Sequence, residues 1–473
     1  MGAIEYSESS EGQFISKFFL TPKSDGNYRF ILNLQEFNKF VVVEHFKLED
    51  IRTAINMLQE GDYMCCIDLK DAYFMISVAC EYRKYLRFAF KNRLFQFTSL
   101  PFGLGSCPYT YTKIMKPLQA WARRQGIRVT NYLDDFLIFG RSFQECLRFT
   151  EAIRKMLIEL GFIINLEKSD FVPKTSCKFL GVIIDSVNMT IELTYQKKLN
   201  IKTTVDKMII NKKCTFEELM TLVGKLVAAC PAVSSGWLYY KQLERLKYLQ
   251  GPAQDCDRKK VIQLPEVALK DLYWWQSNIL IAKSKIRKFT FDKEIFSDAS
   301  LSGWGATCNT MKENGFWTQA ESSCHINYLE LLAAFNALKA FANQDNDCQI
   351  LIRIDNLVAI SYINKMGGIK YPHLHDVAHK IWEWCNKKQI WIFAEYIASK
   401  ENPADKESRI TNIDTEWELA KFAFEAIILE FGIPEIDLFA TKINKKCSKF
   451  CSWQRDPEAL VINAFTLSWK KYF

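Results

Sequence analysis

Two adjacent carboxylates, Asp134 and Asp135, follow Tyr132-Leu133 and lie between two apolar runs, Val129 to Leu133 and Phe136 to Phe139. That spacing predicts a tight β-hairpin with the aspartates at its turn. Adjacent carboxylates repel and cost stability unless something cationic sits beside them. Taken alone, the pair also reads as an ordinary Asx-type turn. It is not alone: Asp68 ends a β-type run from Tyr63, within Cys66-Ile67-Asp68-Leu69-Lys70-Asp71-Ala72-Tyr73. Between them lies Leu100-Pro101-Phe102-Gly103-Leu104-Gly105, a glycine-bearing loop that opens a helix. Brought together, Asp68, Asp134 and Asp135 would hold two hard divalent cations, which take oxygen ligands and keep positions open for phosphates. Two such ions about 4 Å apart activate a hydroxyl and steady a departing pyrophosphate, the chemistry of nucleotidyl transfer.

A second set of carboxylates lies in the C-terminal half. Asp298 ends a strand in Phe296-Ser297-Asp298-Ala299-Ser300, and Glu330 sits in a helix within Leu329-Glu330-Leu331-Leu332. Asp355 ends a later strand in Arg353-Ile354-Asp355-Asn356, and Asp405 opens a helix in Asn402-Pro403-Ala404-Asp405. Singly, these are strand-end turns and a helix start, where aspartate is favoured. Glu330 differs, because its Leu and Ala neighbours place it on a mostly apolar face, costly without a partner.

The elements that must position these groups are legible in part. Phe18 to Leu20 and Arg29 to Leu32 flank a turn signal, Pro22 to Asn27, and predict a hairpin. Helical spacing runs over 50–58, 108–124 and 143–160, the last stopped by Gly161. Residues 186–290 read as mostly helical, with 217–229 and 237–248 clearest, and carry 18 Lys and Arg against 9 Asp and Glu. A basic stretch of this kind is either a nucleic-acid track or a solvated lysine-rich surface. From Lys288 the texture becomes β-β-α-β-α, a mixed-sheet α/β unit.

Composition bounds the alternatives. The 473 residues, 49% apolar and 25% charged with net charge +8, describe a folded multidomain protein. Its 15 cysteines lack a framework spacing and read as reduced thiols of an intracellular protein, cytoplasmic or nuclear. Cys447 and Cys451 read as ordinary thiols rather than a zinc pair, having no second pair in range. No apolar run spans a bilayer and no signal peptide opens the chain, so a membrane is not expected as a partner. Met1-Gly2 lacks the Ser or Thr that myristoylation wants, since Tyr6 stands there.

With these residues in view, the chain resembles the reverse transcriptases of retroelements, and in particular those of the DIRS type, the tyrosine-recombinase retrotransposons. The stretches that carry the resemblance are 17–38, 67–77, 99–105, 132–136, 160–169 and 179–183, in the family's order and spacing. The second carboxylate set resembles RNase H, and the local stretches Gly303-Trp304-Gly305-Ala306, His325-Ile326-Asn327 and Ala404-Asp405 again look like DIRS-type elements. The implied fold is a multidomain α+β right hand of fingers, palm and thumb with a C-terminal RNase H-like α/β domain. The implied divisions are fingers and palm over 1–185, a basic thumb and connection over 186–290, the RNase H-like domain over 291–410, and an extension of unknown role over 411–473.

The resemblance implies an RNA-directed DNA polymerase joined to a ribonuclease H, each using two Mg²⁺ ions, with Mn²⁺ as a substitute. Asp68, Asp134 and Asp135 would hold the polymerase metals, with Leu69 beside Asp68 among the metal-binding positions. Asp298, Glu330, Asp355 and Asp405 would hold those of the nuclease. Tyr73 would lie beneath the incoming sugar and exclude a 2′-hydroxyl. Arg29 and Lys23 would grip the triphosphate, Phe102 and Gly103 would pack near the nascent base pair, and Lys168 would donate a proton to pyrophosphate. Phe179-Leu180-Gly181 looks like the primer grip.

The implied partners are an RNA template, a DNA primer, the RNA–DNA hybrid and dNTPs, with an element recombinase or integrase alongside. The basic segment would follow the hybrid between the two sites. One departure stands out: 395–400 lacks the histidine and glycine of the related nuclease loop, and a structural role is expected for His325. The start inside the usual polymerase region reads as a truncated copy or processed fragment. The rival readings are a pararetroviral or long-terminal-repeat polymerase and a catalytically inactive nucleic-acid scaffold.

Overall fold

The computed structural model describes residues 2–22, 26, 28–251, 257–410, 418–452 and 456–467. Two compact units emerge, each built from discontinuous segments. The first takes residues 1–200, 231–234 and 280–287; the second takes 201–230, 235–279 and 288–473. The basic segment 186–290 is therefore shared between them.

The first unit is organised around a four-stranded antiparallel sheet in the order Arg128–Tyr132, Asp135–Gly140, Tyr63–Asp68, Asp170–Lys174. Strand side chains alternate between faces. Ile67, Val129, Phe136 and Ile138 meet Tyr111, Met115 and Leu118 of the helix Cys107–Arg124 and Ile153 and Leu157 of the helix Phe143–Glu159. The second helix starts where Ser142 accepts from the Glu145 amide, a sequence-local cap worth roughly 1 kcal/mol. It presses on the sheet at Gly140, where a Cβ would stand 2.4 Å from the Cys146 nitrogen. The hairpin Lys17–Pro22 and Tyr28–Asn33 forms as expected, with Thr21 opposite Arg29. Its turn residue Lys23 lies outside the described residues. Phe18, Phe30, Phe88 and Phe97 bind this hairpin to the strands Arg87–Phe90 and Arg93–Phe97 through ring contacts of 4.7–5.9 Å.

A second hairpin, Ser176–Phe179 with Val182–Asp185, folds back on the strand Tyr63–Asp68, where Cys66 Sγ meets the Lys178 carbonyl at 3.4 Å. Asp62, buried just before that strand, accepts two hydrogen bonds from the Arg128 guanidinium at 2.6 and 2.7 Å.

The second unit holds a five-stranded sheet in the order Met311–Phe316, Gly303–Cys308, Lys293–Ala299, Gln349–Ile354, Trp391–Tyr396. The first three strands are antiparallel and the last two run parallel to Lys293–Ala299. The sequence pattern missed the strand Met311–Phe316 because its residues, Met-Lys-Glu-Asn-Gly-Phe, do not alternate between apolar and polar. Helices Ile326–Ala342 and Pro372–Lys387 cover the sheet with Leu329, Ala333, Leu338, Ile381 and Trp382. Helices Phe216–Ala229, Lys241–Leu249 and Glu266–Asn278 belong to the same unit. The helix expected from Trp237 begins only at Lys241, because Leu238 is drawn into the core and the Tyr239 carbonyl is taken by the Trp275 indole at 3.0 Å.

Beyond residue 410, a helix spans Lys421–Phe431 and two short strands, Ile436–Asp437 and Lys449–Phe450, pair in parallel. Cys451 is buried with Ile436 and Ala464, as a thiol of an apolar cluster. No helix among the described residues is long and apolar enough to cross a membrane.

Gly305 explains the Gly303-Trp304-Gly305 signature. A Cβ there would stand 2.3 Å from the Ser408 nitrogen and 2.6 Å from the Ala404 oxygen, so only glycine lets the turn 404–408 lie on the sheet. Gly305→Ala is expected to lower stability by about 1–3 kcal/mol, as overpacking does, read as a fall in the urea midpoint.

Candidate active sites

In the first unit, strand register does the positioning. Asp68 pairs directly with Asp135, and Tyr132 pairs with Asp135 across the turn. Leu133 adopts a positive φ of 55°, so the chain reverses within two residues and presents Asp134 at the tip. Asn131 donates to the Leu133 carbonyl at 2.9 Å and accepts from Gln119 of the helix below, which fixes that left-handed turn. The Leu69 amide donates to the Asp134 carbonyl at 3.0 Å, tying the two carboxylate-bearing segments together.

Asp68 is also held from the other side. Its amide donates to Ser169 Oγ at 3.0 Å, and its carbonyl accepts from the Asn165 amide at 2.8 Å. Asn131, Ser169 and Asn165 went unnoticed as positioning groups, because isolated polar residues carry no pattern in the sequence.

A cavity of about 230 Å³ opens beside the aspartates, lined by Arg29, Asp68, Leu69, Phe102, Asp134, Asn165 and Lys168 among others. Six of the residues singled out from sequence thus share one wall. The Arg29 guanidinium lies 5.0 Å from the centre of the Phe102 ring, a cation–π contact. Tyr73 stands behind Phe102, ring centres 5.3 Å apart, with Tyr111 at 5.4 Å on its other side. Gly103, at a φ of 113°, brings its backbone so close to the Tyr28–Asn33 strand that a Cβ would stand 2.1 Å from the Leu32 oxygen. The Leu32 amide donates to the Phe102 carbonyl at 3.1 Å, which sets the Phe102 ring beside Arg29.

The electrostatics are those of a cation site. Burial, followed by the Asp68 charge, raises the Asp134 pKa, while Arg29 and Lys168 pull it down. Asp135 is pushed up to about 7 by burial, by the Asp134 charge and by its hydrogen bond with Asp68.

In the second unit, Asp298, Glu330 and Asp355 each bring one carboxylate oxygen to within 4.8 Å of the others. The sheet supplies the two aspartates from neighbouring parallel strands, and the helix lays Glu330 over them. Asp298 and Glu330 are 3% and 4% exposed, so water does little to separate their charges. Glu330 Oε2 is buried without a hydrogen-bond partner. Its pKa rises to about 9, through burial first and then the charges of Asp298 and Asp355. Asp298 rises to about 6 through burial, partly opposed by the Ser408 hydroxyl, which donates to it at 2.5 Å. Two buried carboxylates, a half-buried third and an orphaned oxygen make a donor set suited to a hard divalent cation.

Asp405 stands apart from this trio: its Oδ1 accepts from Arg409 at 2.8 and 2.9 Å, though its charge still reaches Asp298. His325 caps the helix Ile326–Ala342 by accepting from the Asn327 amide at 3.2 Å, the structural role expected of it. Where a loop histidine is missing, Ser399 donates to Asp355. Ser399 and Ser408 escaped the sequence reading, since single serines near helix starts are commonplace.

A right hand of fingers, palm and thumb joined to a C-terminal α/β domain is the fold these elements make. Comparison with solved structures shows it. Over 83% of this chain and 79% of the other, the fold matches a foamy viral protease-reverse transcriptase in complex with dsDNA, at TM-score 0.53 and 18% identity. A foamy viral protease-reverse transcriptase with an RNA/DNA hybrid matches at TM-score 0.50 and 18% identity, over 89% of this chain and 54% of that one. Residues 21–184 match the family model for reverse transcriptase (RNA-dependent DNA polymerase).

The chain is 22% identical over 409 residues to a putative enzymatic polyprotein of Cassava vein mosaic virus. It is also 22% identical over 420 residues to the retrovirus-related Pol polyprotein from transposon 297 of Drosophila melanogaster. These alignments take in 82% and 85% of this chain but only 60% and 36% of the two relatives. The segment 21–184 that matches the reverse transcriptase model holds the whole first site.

The raised carboxyl groups fix the sign of a pH effect. A carboxyl whose pKa is higher folded than unfolded weakens the fold as pH climbs from the unfolded value through the folded one. For Glu330 that window runs from 4.5 to about 9. The ion-free protein is expected to melt at lower temperature at pH 8 than at pH 5, and millimolar Mg²⁺ or Mn²⁺ to restore more at pH 8. Glu330→Gln should raise the ion-free stability at pH 8 by roughly 1–3 kcal/mol and shrink the gain from metal, as measured by calorimetry.

Proposed function

We propose that this chain is a DNA polymerase templated by RNA or DNA, joined to a nuclease that cuts the RNA strand of an RNA–DNA hybrid. The observation that carries the polymerase reading is the pairing of Asp68 with Asp135 beneath a turn that presents Asp134, within residues 21–184. Asp68, Asp134 and Asp135, with the Leu69 backbone beside them, would hold the divalent ions of the first site. Asp298, Glu330 and Asp355 would hold those of the second, with Asp405 at its edge. Bound there, Mg²⁺ or Mn²⁺ supplies charge neutralisation and an activated hydroxyl or water.

The remaining work falls to the chain's own residues. Arg29 offers a planar guanidinium, steadied by Phe102, to the triphosphate of an incoming dNTP. Lys23, which lies outside the described residues, would share that task in this reading. Lys168, which lines the same cavity as Asp134, would give a proton to departing pyrophosphate in this reading. Tyr73 backs Phe102 and limits how deeply a sugar can sit, which disfavours a 2′-hydroxyl. Gly103 holds the Phe102 loop against the fingers strand, beside the expected template path. The lysines of 186–290 would bind phosphates without reading sequence, so affinity should fall steeply with salt. In the nuclease reading, Ser408 and Ser399, which donate to Asp298 and Asp355, would orient those carboxylates.

A DIRS-type origin rests on the sequence stretches that carry that resemblance; relatives with measured similarity include polyproteins of a virus and of transposons. A recombinase encoded beside the chain would support the DIRS assignment, and an integrase would support the long-terminal-repeat alternative.

Primer extension on an RNA template with Mg²⁺ tests the central reading, and its absence in a folded preparation would favour the inactive scaffold. Asp134→Asn should cut extension by on the order of a hundredfold or more while sparing hybrid cleavage, and Glu330→Gln should do the reverse. Loss of both activities from either change, in a folded protein, would refute two separate sites. Tyr73→Ala should raise the use of ribonucleotides relative to deoxynucleotides by roughly tenfold or more, measured as a ratio of kcat/KM values.

A further inference from the structure

The strand Tyr63–Asp68 carries adjacent cysteines that point to opposite faces. Cys65 turns toward Cys146 of the helix Phe143–Glu159, sulfurs 3.7 Å apart, and both residues are fully buried. Cys66 turns the other way, to the face that Asp68 shares, one pleat from it. There its sulfur lies 2.7 Å from that of Cys177, in the strand Ser176–Phe179. Both thiols are free, and about 0.7 Å separates this spacing from a disulfide bond of ~2.05 Å. Cys66 is half-buried, so a small oxidant has access to the pair.

We propose that Cys66 and Cys177 are a redox modification site: an intramolecular disulfide between them locks the hairpin Ser176–Asp185 onto the strand that bears Asp68. The oxidant is a hydroperoxide. One thiolate attacks a peroxide oxygen and becomes a sulfenic acid as hydroxide leaves. The second thiolate attacks that sulfur, forms the S–S bond and expels the hydroxide. The two thiol protons leave in water, so two thiols and H₂O₂ give one disulfide and two H₂O. Thiol reductants reverse the bond by exchange.

The hairpin carries Phe179-Leu180-Gly181, and Gly181 has a positive φ of 75° in a turn where the Leu180 carbonyl accepts from Lys197 at 2.9 Å. A covalent tie from Cys177 to the strand beneath removes the freedom of that turn relative to Asp68. That the lock stops DNA synthesis rests on the polymerase reading given above; that the bond forms does not.

The test uses the full chain, purified reduced, exposed to hydrogen peroxide, then denatured and alkylated with N-ethylmaleimide. Peptide mapping should show the Cys66 and Cys177 peptides joined, with Cys65 and Cys146 alkylated. Hydrogen exchange should slow over 176–185 in the oxidised chain. Extension should fall by at least about fivefold and return with dithiothreitol, while Cys177→Ser, or Cys66→Ser, extends equally before and after peroxide. Alkylation of both Cys66 and Cys177 after peroxide would overturn the proposal. A linked chain with unchanged exchange over 176–185 would overturn the lock. If the reduced wild type never extends a primer, the polymerase reading fails, and mapping and exchange still decide this one.

Discussion

At both candidate sites, carboxylates of like charge are held close together in partly or fully buried positions. Burial raises the cost of each charge, and the neighbouring charge raises it again. The chain carries that cost twice, at Asp134 and Asp135 in one unit and at Asp298 and Glu330 in the other. Hydrophobic packing elsewhere must offset it: the Phe136, Ile138 and Tyr111 layer beneath one site, and the Leu329, Ile352 and Trp382 core beneath the other. A divalent cation bound at either site would turn the repulsion into attraction.

The two sites solve the positioning problem by different means. In the first, an antiparallel register sets Asp68 against Asp135, and a left-handed residue at Leu133 makes the turn that exposes Asp134. Backbone groups on both sides of Asp68 are tied to Asn165 and Ser169, so its approach angle is over-determined. In the second, parallel neighbours supply Asp298 and Asp355 and a helix lowers Glu330 onto them. The close seat at Gly305 then lets Ser408 reach Asp298.

Cys66 and Asp68 share one face of one strand, so the geometry that serves the first site also brings a thiol pair beside it. The period of two in a β-strand makes this unavoidable: whatever packs against Cys66 packs next to the aspartate. The Cys65–Cys146 pair, on the opposite face, belongs instead to the helix-covered core. Adjacent residues of the same type thus have different chemistry, decided by which side of the sheet they face.

Much of the first site was legible from residue order because its parts are local: a carboxylate at the end of an apolar strand, two more at a hairpin turn, a glycine loop before a helix. Strand and helix periods, the Ser142 cap and the Gly161 stop are short-range physics, written within a few residues. Asp298, Glu330 and Asp355 were likewise marked by carboxylates in apolar settings. Tertiary structure alone decided which of four acidic residues converge, and it set Asp405 aside by giving its oxygen to Arg409. It also chose Asn131, Ser169, Ser399 and Ser408 as the groups that hold the carboxylates, and brought Cys177 to Cys66 across 111 intervening bonds of chain. These contacts join residues far apart in sequence through single polar atoms, and such pairings leave no periodic trace in the order of amino acids. They exist only once the hydrophobic layers have set the distances.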